Sequence, residues 1–164
     1  MISTARSRAL VSGKWLSQQS PSNTVVLDAS WHMPDTGRNA AKEFQQRRIP
    51  TAQFFDIDRI VVADKLNELE LPHMMPSLAD FKHEVEHTFK IRQNDHIVVY
   101  DTNEQGLFSA PRVWWMFKTF GLHNVSILDG GMQKYIRDGF SIEKGTPTSA
   151  ALVANKKSTA VTLN

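Results

Sequence analysis

The stretch HIVVYDTNEQGLFSAPRVWWMF, residues 96–117, decides the fold. His96 to Tyr100 is an apolar run rich in β-branched residues, Asp101 to Phe108 is a polar loop, and the residues after Ser109 have helical periodicity. Ser109 is placed as the N-cap and Pro111 falls in the first helical turn. A strand that ends in a loop and then a helix N-terminus gathers several backbone N–H groups and the positive end of a helix dipole into one small space. Such a nest binds anions. Enzymes that use it for thiol chemistry put a cysteine at its head, where the nest holds the thiolate. Here the head residue is Asp101. A carboxylate fixed there satisfies the nest from within and repels an anionic substrate, so the loop is expected to be closed to chemistry.

Working outward, strand and helix patterns alternate. TVVLDAS reads as a buried strand, AAKEFQQRR as a helix, and IPTAQFFDI as a second strand. SLADFKHEVEHTFK reads as a helix capped by Ser77, with Leu78, Phe81, Val85 and Phe89 on one face. SAPRVWWMFKTFG is a helix closed by Gly121, whose Val113, Phe117 and Phe120 stripe, with Trp114 beside it, is packing. VSILDGG is a further strand, and MQKYIRDG a last helix closed by Gly139. This alternation predicts an α/β domain with a central parallel sheet and helices on both faces. RIVVADKLNELELPHMMP (59–76) reads as an irregular connection. KGTPTSAALVANKKSTAVTLN (144–164) loses periodicity and reads as a linker.

Composition bounds the function. A chain of 164 residues that is 41% hydrophobic can bury one core of ordinary domain size. Its net charge of +2, with basic residues scattered, points to no nucleic-acid partner. Zero cysteines exclude a disulfide framework, a thiolate metal site and a cysteine nucleophile within this chain. No apolar run approaches the roughly 20 residues that span a bilayer, so no membrane partner is indicated. The first 27 residues carry Arg6, Arg8 and Lys14 and no acid. That start resembles a transit peptide, although Ala9 to Gln18 also reads as the domain's first helix, with Leu10, Trp15 and Val11 as its apolar face.

In a parallel sheet, ligands collect beyond the carboxyl ends of the strands. Asp28, Asp56, Asp58, Asp101 and Asp129 all stand at or just past such ends. Each of these aspartates could equally be a local cap.

Five ordered blocks carry a resemblance: LDASW (27–31), EFQQRRIPTAQFFDID (43–58), LPHMMPS (71–77), VVYDTNEQGLFSAPRVWWMFKTFG (98–121) and VSILDGGMQKY (125–135). Together they resemble the N-terminal domain of the tandem-domain sulfurtransferases, the rhodaneses and mercaptopyruvate sulfurtransferases. Arg48, Thr51 and Tyr135 depart from that pattern, where His, Gly and Trp are usual, at positions that look structural.

The resemblance implies a rhodanese-like fold over residues 1–143, a linker over 144–164, and a catalytic second domain that this chain lacks. That C-terminal rhodanese domain would carry the persulfide-forming cysteine. It would take sulfur from 3-mercaptopyruvate or thiosulfate and pass it to a small thiol, thioredoxin or cyanide. No cofactor or metal is implied, and the setting would be mitochondrial or cytoplasmic. The family pattern points to Asp58 as a carboxylate facing the cleft between the halves, and His73 falls at a matching family position. Histidine titrates near neutrality and so suits a transient proton partner. Trp31 and Phe108 resemble cleft-rim aromatics, or else belong to the core. Arg112 is expected to brace the Asp101 loop or pair with an acid. A second reading remains open: a self-standing, inactive rhodanese-like module that binds or regulates.

Overall fold

The computed structural model describes residues 8–60, 73–104, 107–145 and 160–164 in full, and the backbone alone of 62–66 and 69–72. The basic start up to Ser7, the loop residues Gln105 and Gly106, and 146–159 of the expected linker lie outside the described residues.

In chain order the elements are β1 (Leu10–Val11), α1 (Gly13–Ser17), β2 (Thr24–Asp28), α2 (Ala40–Gln46), β3 (Gln53–Phe54), α3 (Ile57–Ile60), β4 (Val62–Leu66), β5 (Leu69–Met74), α4 (Leu78–His83), β6 (His96–Tyr100), α5 (Ala110–Thr119), β7 (Val125–Leu128) and α6 (Gly131–Arg137). Five strands form one parallel sheet in the order β1-β7-β6-β2-β3. β2 and β6 lie at the centre, paired along their whole length from Thr24 opposite His96 to Asp28 opposite Tyr100.

Alternation along these strands feeds two cores, because successive side chains point to opposite faces. Val25, Leu27, Ile97, Val99, Val125 and Ile127 face one core, where α3, α4 and α5 contribute Ile57, Phe81, Val113 and Phe117. Val26, Val98, Tyr100 and Leu128 face the other, which is closed by Leu16 of α1, Phe44 of α2 and Met132 of α6. Helices thus cover both faces. Each large apolar side chain withdrawn in this way contributes about 1.5–3 kcal/mol.

Several local expectations are corrected. The predicted helix from Ala9 is a short strand followed by a short helix. β7 would otherwise leave an unpaired edge, so Ile127 and Asp129 donate backbone N–H groups to the Ala9 and Val11 carbonyls, and Ser12 then caps α1. Leu10 is consequently exposed, and Val11 and Leu16 are buried. The strand expected over IPTAQFFDI shrinks to Gln53–Phe54.

The segment expected to be irregular holds an antiparallel β4-β5 pair with a register shift between Val62 and Asp64. Ser77 does cap α4. The helix widens to i→i+5 bonding over Glu84–Thr88, where the Phe89 N–H reaches the Glu84 carbonyl. Phe81, Val85 and Phe89 are buried as expected, but Leu78 is 44% exposed, because the first turn projects beyond the core.

At the far end of the chain, Val161 is buried in the first core, and its N–H donates to the Glu86 carboxylate. These last residues therefore pack on the domain.

Candidate functional site

At the carboxyl end of β6, Asp101 is 1% exposed. Its Oδ2 accepts backbone N–H bonds from Phe108, Ser109 and Ala110 at 2.8, 2.9 and 2.9 Å, and its Oδ1 accepts one from Asn103 at 3.2 Å. The carboxylate therefore sits where the loop's donors converge at the start of α5. Its own carbonyl accepts the Met132 N–H at 3.0 Å. That approach needs Gly131, at φ +57°, since a Cβ there would stand 2.6 Å from the same oxygen. Ser109 occupies the N-cap position but makes no side-chain cap bond, and its Oγ instead accepts the Trp31 N–H.

Beside it, at the end of β2, Asp28 is buried. It accepts bonds from the Ser30 N–H and hydroxyl, and the Ser30 Oγ in turn accepts the Thr102 N–H. The Tyr100 hydroxyl accepts the Ile49 N–H and faces the Asp28 carboxylate. Burial pushes Asp28 up to about 6, against the Ser30 bonds that pull it down, with Asp101 repelling it further. Burial and the Asp28 charge hold the Tyr100 phenol well above its ordinary value. This polar lattice fixes the ends of β2 and β6 relative to each other.

In front of that foundation the fold gathers four residues from distant stretches. Trp31 donates its indole N–H to both oxygens of Asp58 at 3.1 Å. The His73 Nδ1 lies 3.4 Å from the Asp58 Oδ1. The Trp31 and His73 rings meet edge to face at 5.0 Å, and Trp31 stacks on Phe108 at 6.2 Å. The Asp58 side chain is 64% exposed and that of His73 35%, so both are open to a ligand or partner. Phe108 is 49% exposed. Trp31 packs against the first core while holding Asp58, so it belongs to both core and surface. An open recess of about 200 Å³ adjoins this group, lined by Trp31, His32, Arg38, Asp56 and Asp58 among others. A hollow of about 260 Å³ lies elsewhere, lined by Leu16, Val26, Ile49 and Tyr135 among others. No carboxylate, imidazole or amine lines that hollow, so the smaller recess is the chemically equipped one.

Some contacts were not legible from spacing. Among the described residues Arg112 pairs with no acid: its Nη2 donates to the His73 carbonyl, and its guanidinium lies 5.1 Å over the Trp115 ring. Near the recess Arg38 forks onto Glu43 at 2.9 and 2.6 Å, a bond that holds the Glu43 carboxyl below its ordinary value, and the His32 Nε2 lies 3.3 Å from the same carboxylate. Arg48 is fully buried, its Nη1 bonded to the Phe44 and Gly145 carbonyls and its Nη2 to Glu143 while its Nε has no partner among the described residues; these contacts identify that departure from the family pattern as structural. No group of three or more His, Cys, Asp or Glu side chains suited to a metal occurs among the described residues. No helix among them is long and apolar enough to cross a membrane.

A parallel five-stranded sheet with an anion-type loop at the end of its central strand defines the class, and comparison with known proteins settles it. The rhodanese-like domain family matches residues 12–138, and the chain belongs to that family. It is 42% identical over 143 residues to 3-mercaptopyruvate sulfurtransferase of Mus musculus, covering 84% of this chain and 46% of the relative. It is also 42% identical over 161 residues to thiosulfate sulfurtransferase of Rattus norvegicus, covering 94% and 52%. Among solved structures, SseA of Escherichia coli, described with the 3-mercaptopyruvate sulfotransferases, matches with a TM-score of 0.72 at 36% identity, covering 86% of this chain and 53% of that one. The chain spans about half the length of the curated relatives it matches.

Proposed function

We propose that this chain acts as the non-catalytic N-terminal half of a two-domain sulfurtransferase. In this reading a cysteine in a C-terminal rhodanese domain takes sulfur from 3-mercaptopyruvate or thiosulfate and hands the persulfide sulfur to a small thiol, thioredoxin or cyanide. The observation that carries the reading is the Asp101 carboxylate held by four backbone N–H groups in a chain without cysteine. A nest filled by its own anion has no room for a thiolate or an anionic donor. The match to about half of each relative supports the same view, as does the basic start for a mitochondrial or cytosolic setting.

The chain's contribution is then a wall of the cleft. Trp31 fixes Asp58 through its indole N–H, Asp58 orients His73 through Nδ1, and Nε2 is left to take a proton from a hydroxyl or substrate supplied by the other half. A carboxylate behind an imidazole fixes the ring's tautomer and stabilises it when charged. Phe108 and Trp31 supply apolar surface beside the pair.

The test joins this chain to a cysteine-bearing rhodanese domain and measures sulfur transfer from mercaptopyruvate. Asp58→Asn is expected to lower kcat by about 10²-fold with unchanged thermal unfolding, the usual size of a general acid-base contribution. Equal turnover in wild type and variant would return Asp58 to a loop cap.

A further inference from the structure

We infer that Arg112 is a positioning residue for His73; the inference rests on the reading of His73 given above. His73 has φ +60°, a left-handed backbone that a side-chain-bearing residue adopts at a cost and that tertiary contacts must hold. Among the described residues three side chains meet it: Arg112 Nη2 donates to its carbonyl oxygen, the Asp58 carboxylate lies 3.4 Å from its Nδ1, and Trp31 meets its ring edge to face. Besides the β4-β5 pairing of its neighbours Leu71 and Met74, the Arg112 bond is the contact of these three that bears directly on the His73 backbone, which sets where the imidazole starts from.

Arg112 is itself rigidly placed. It lies in the first turn of α5, its N–H bonded to the Ser109 carbonyl, and its guanidinium is stacked over Trp115. The N–H groups of Ser109 and Ala110, just before it, are those held by the Asp101 carboxylate. A continuous path therefore runs from the occupied nest through the start of α5 to Arg112 and on to His73. The fork geometry of arginine suits this task, because one arm reaches the carbonyl while the guanidinium carbon stays 5.1 Å from the centre of the Trp115 ring. Lysine keeps the charge and three donors, but on a single nitrogen that cannot serve the carbonyl and the ring as the guanidinium does.

The test uses the chain joined to a cysteine-bearing rhodanese domain, with Arg112→Met, Arg112→Lys, His73→Gln and the Arg112→Met/His73→Gln pair. Arg112→Met is expected to lower kcat about tenfold, the size of one misplaced catalytic contact, with the donor KM held within about twofold. Arg112→Lys should recover part of the loss. In the His73→Gln background, Arg112→Met should cause no further loss, since a positioning residue works through the group it positions. An unchanged kcat, an equal additional loss in the His73→Gln background, or a rise in KM with kcat preserved would each overturn the inference; the last would make Arg112 a substrate ligand instead. If His73→Gln alone leaves turnover intact, the reading of His73 fails. The inference is then decided by NMR of this chain, where Arg112→Met must still shift the His73 ring resonances, and unmoved resonances would overturn it. If Arg112→Met does not fold, Arg112→Lys carries the same comparisons.

Discussion

Removing the carboxylate at Asp101 probes the foundation on which the rest of the site stands. Its Oδ2 holds three N–H groups at 2.8, 2.9 and 2.9 Å, those of Ser109 and Ala110 buried and that of Phe108 partly so. In Asp101→Ala all three lose their acceptor, and an unsatisfied buried donor costs about 1–3 kcal/mol. Water entering the vacated space relieves part of this, which leaves an expected loss of about 3–5 kcal/mol, a large share of the roughly 5–15 kcal/mol that holds such a domain together.

Asp101→Asn keeps an oxygen in the nest and loses the charge. Charge-assisted bonds are about twice as strong as neutral ones, but the variant also removes the repulsion felt by Asp28, so about 1–2 kcal/mol is expected. Urea unfolding followed by the fluorescence of the four tryptophans measures both. Formate, which can re-enter the vacated nest, should raise the midpoint of Asp101→Ala, while chloride at equal ionic strength should not. If Asp101→Ala unfolds within about 0.5 kcal/mol of wild type, the nest is not what the bond lengths imply, and the reasoning is refuted.

Two further perturbations have calculable outcomes. Asp28 titrates at about 6 in the folded chain against an ordinary value of 3.8, so between those values the folded state binds more protons than the unfolded one. Stability from this group is therefore complete below the lower value and is lost as pH rises through about 6, by up to about 3 kcal/mol. Asp28→Asn should flatten that slope in unfolding free energy measured from pH 4 to 7; an unchanged slope would assign it to other groups. Arg48→Met removes the buried partner of Glu143 and frees the Gly145 carbonyl, and should lower unfolding free energy by about 3 kcal/mol by calorimetry. A loss below about 1 kcal/mol would mean the clasp is dispensable.

The fold was legible because its signals are local. β-branched runs at Val25–Leu27 and Ile97–Val99 feed alternate faces, Gly121 and Gly139 close helices at positive φ, and Ser77 caps its helix. The misreadings have local causes too. β1 exists only because β7 offers an open edge, which no pattern in residues 8–12 reveals. The β4-β5 pair was hidden by Pro72, which spoils a strand pattern although it lies within the observed range of β5.

The site was legible residue by residue but not as an assembly. Asp58 and His73 came from resemblance, yet the Trp31 indole bond that orients Asp58 spans 27 residues, and the Arg112 bond to the His73 carbonyl spans 39. Such contacts follow from the sheet order, which spacing alone does not determine. Asp101 is the exception, because strand, loop and helix are contiguous there and the destination of its carboxylate can be argued from the chain itself.

The central claim is that this chain shapes a sulfur-transfer site without performing the transfer. It is tested most directly by assaying the purified 164-residue chain alone for release of sulfur from mercaptopyruvate, and separately from thiosulfate, to a thiol acceptor. Turnover at background is expected, with activity appearing only when a cysteine-bearing rhodanese domain is supplied. Sustained turnover by the cysteine-free chain on its own would contradict that claim.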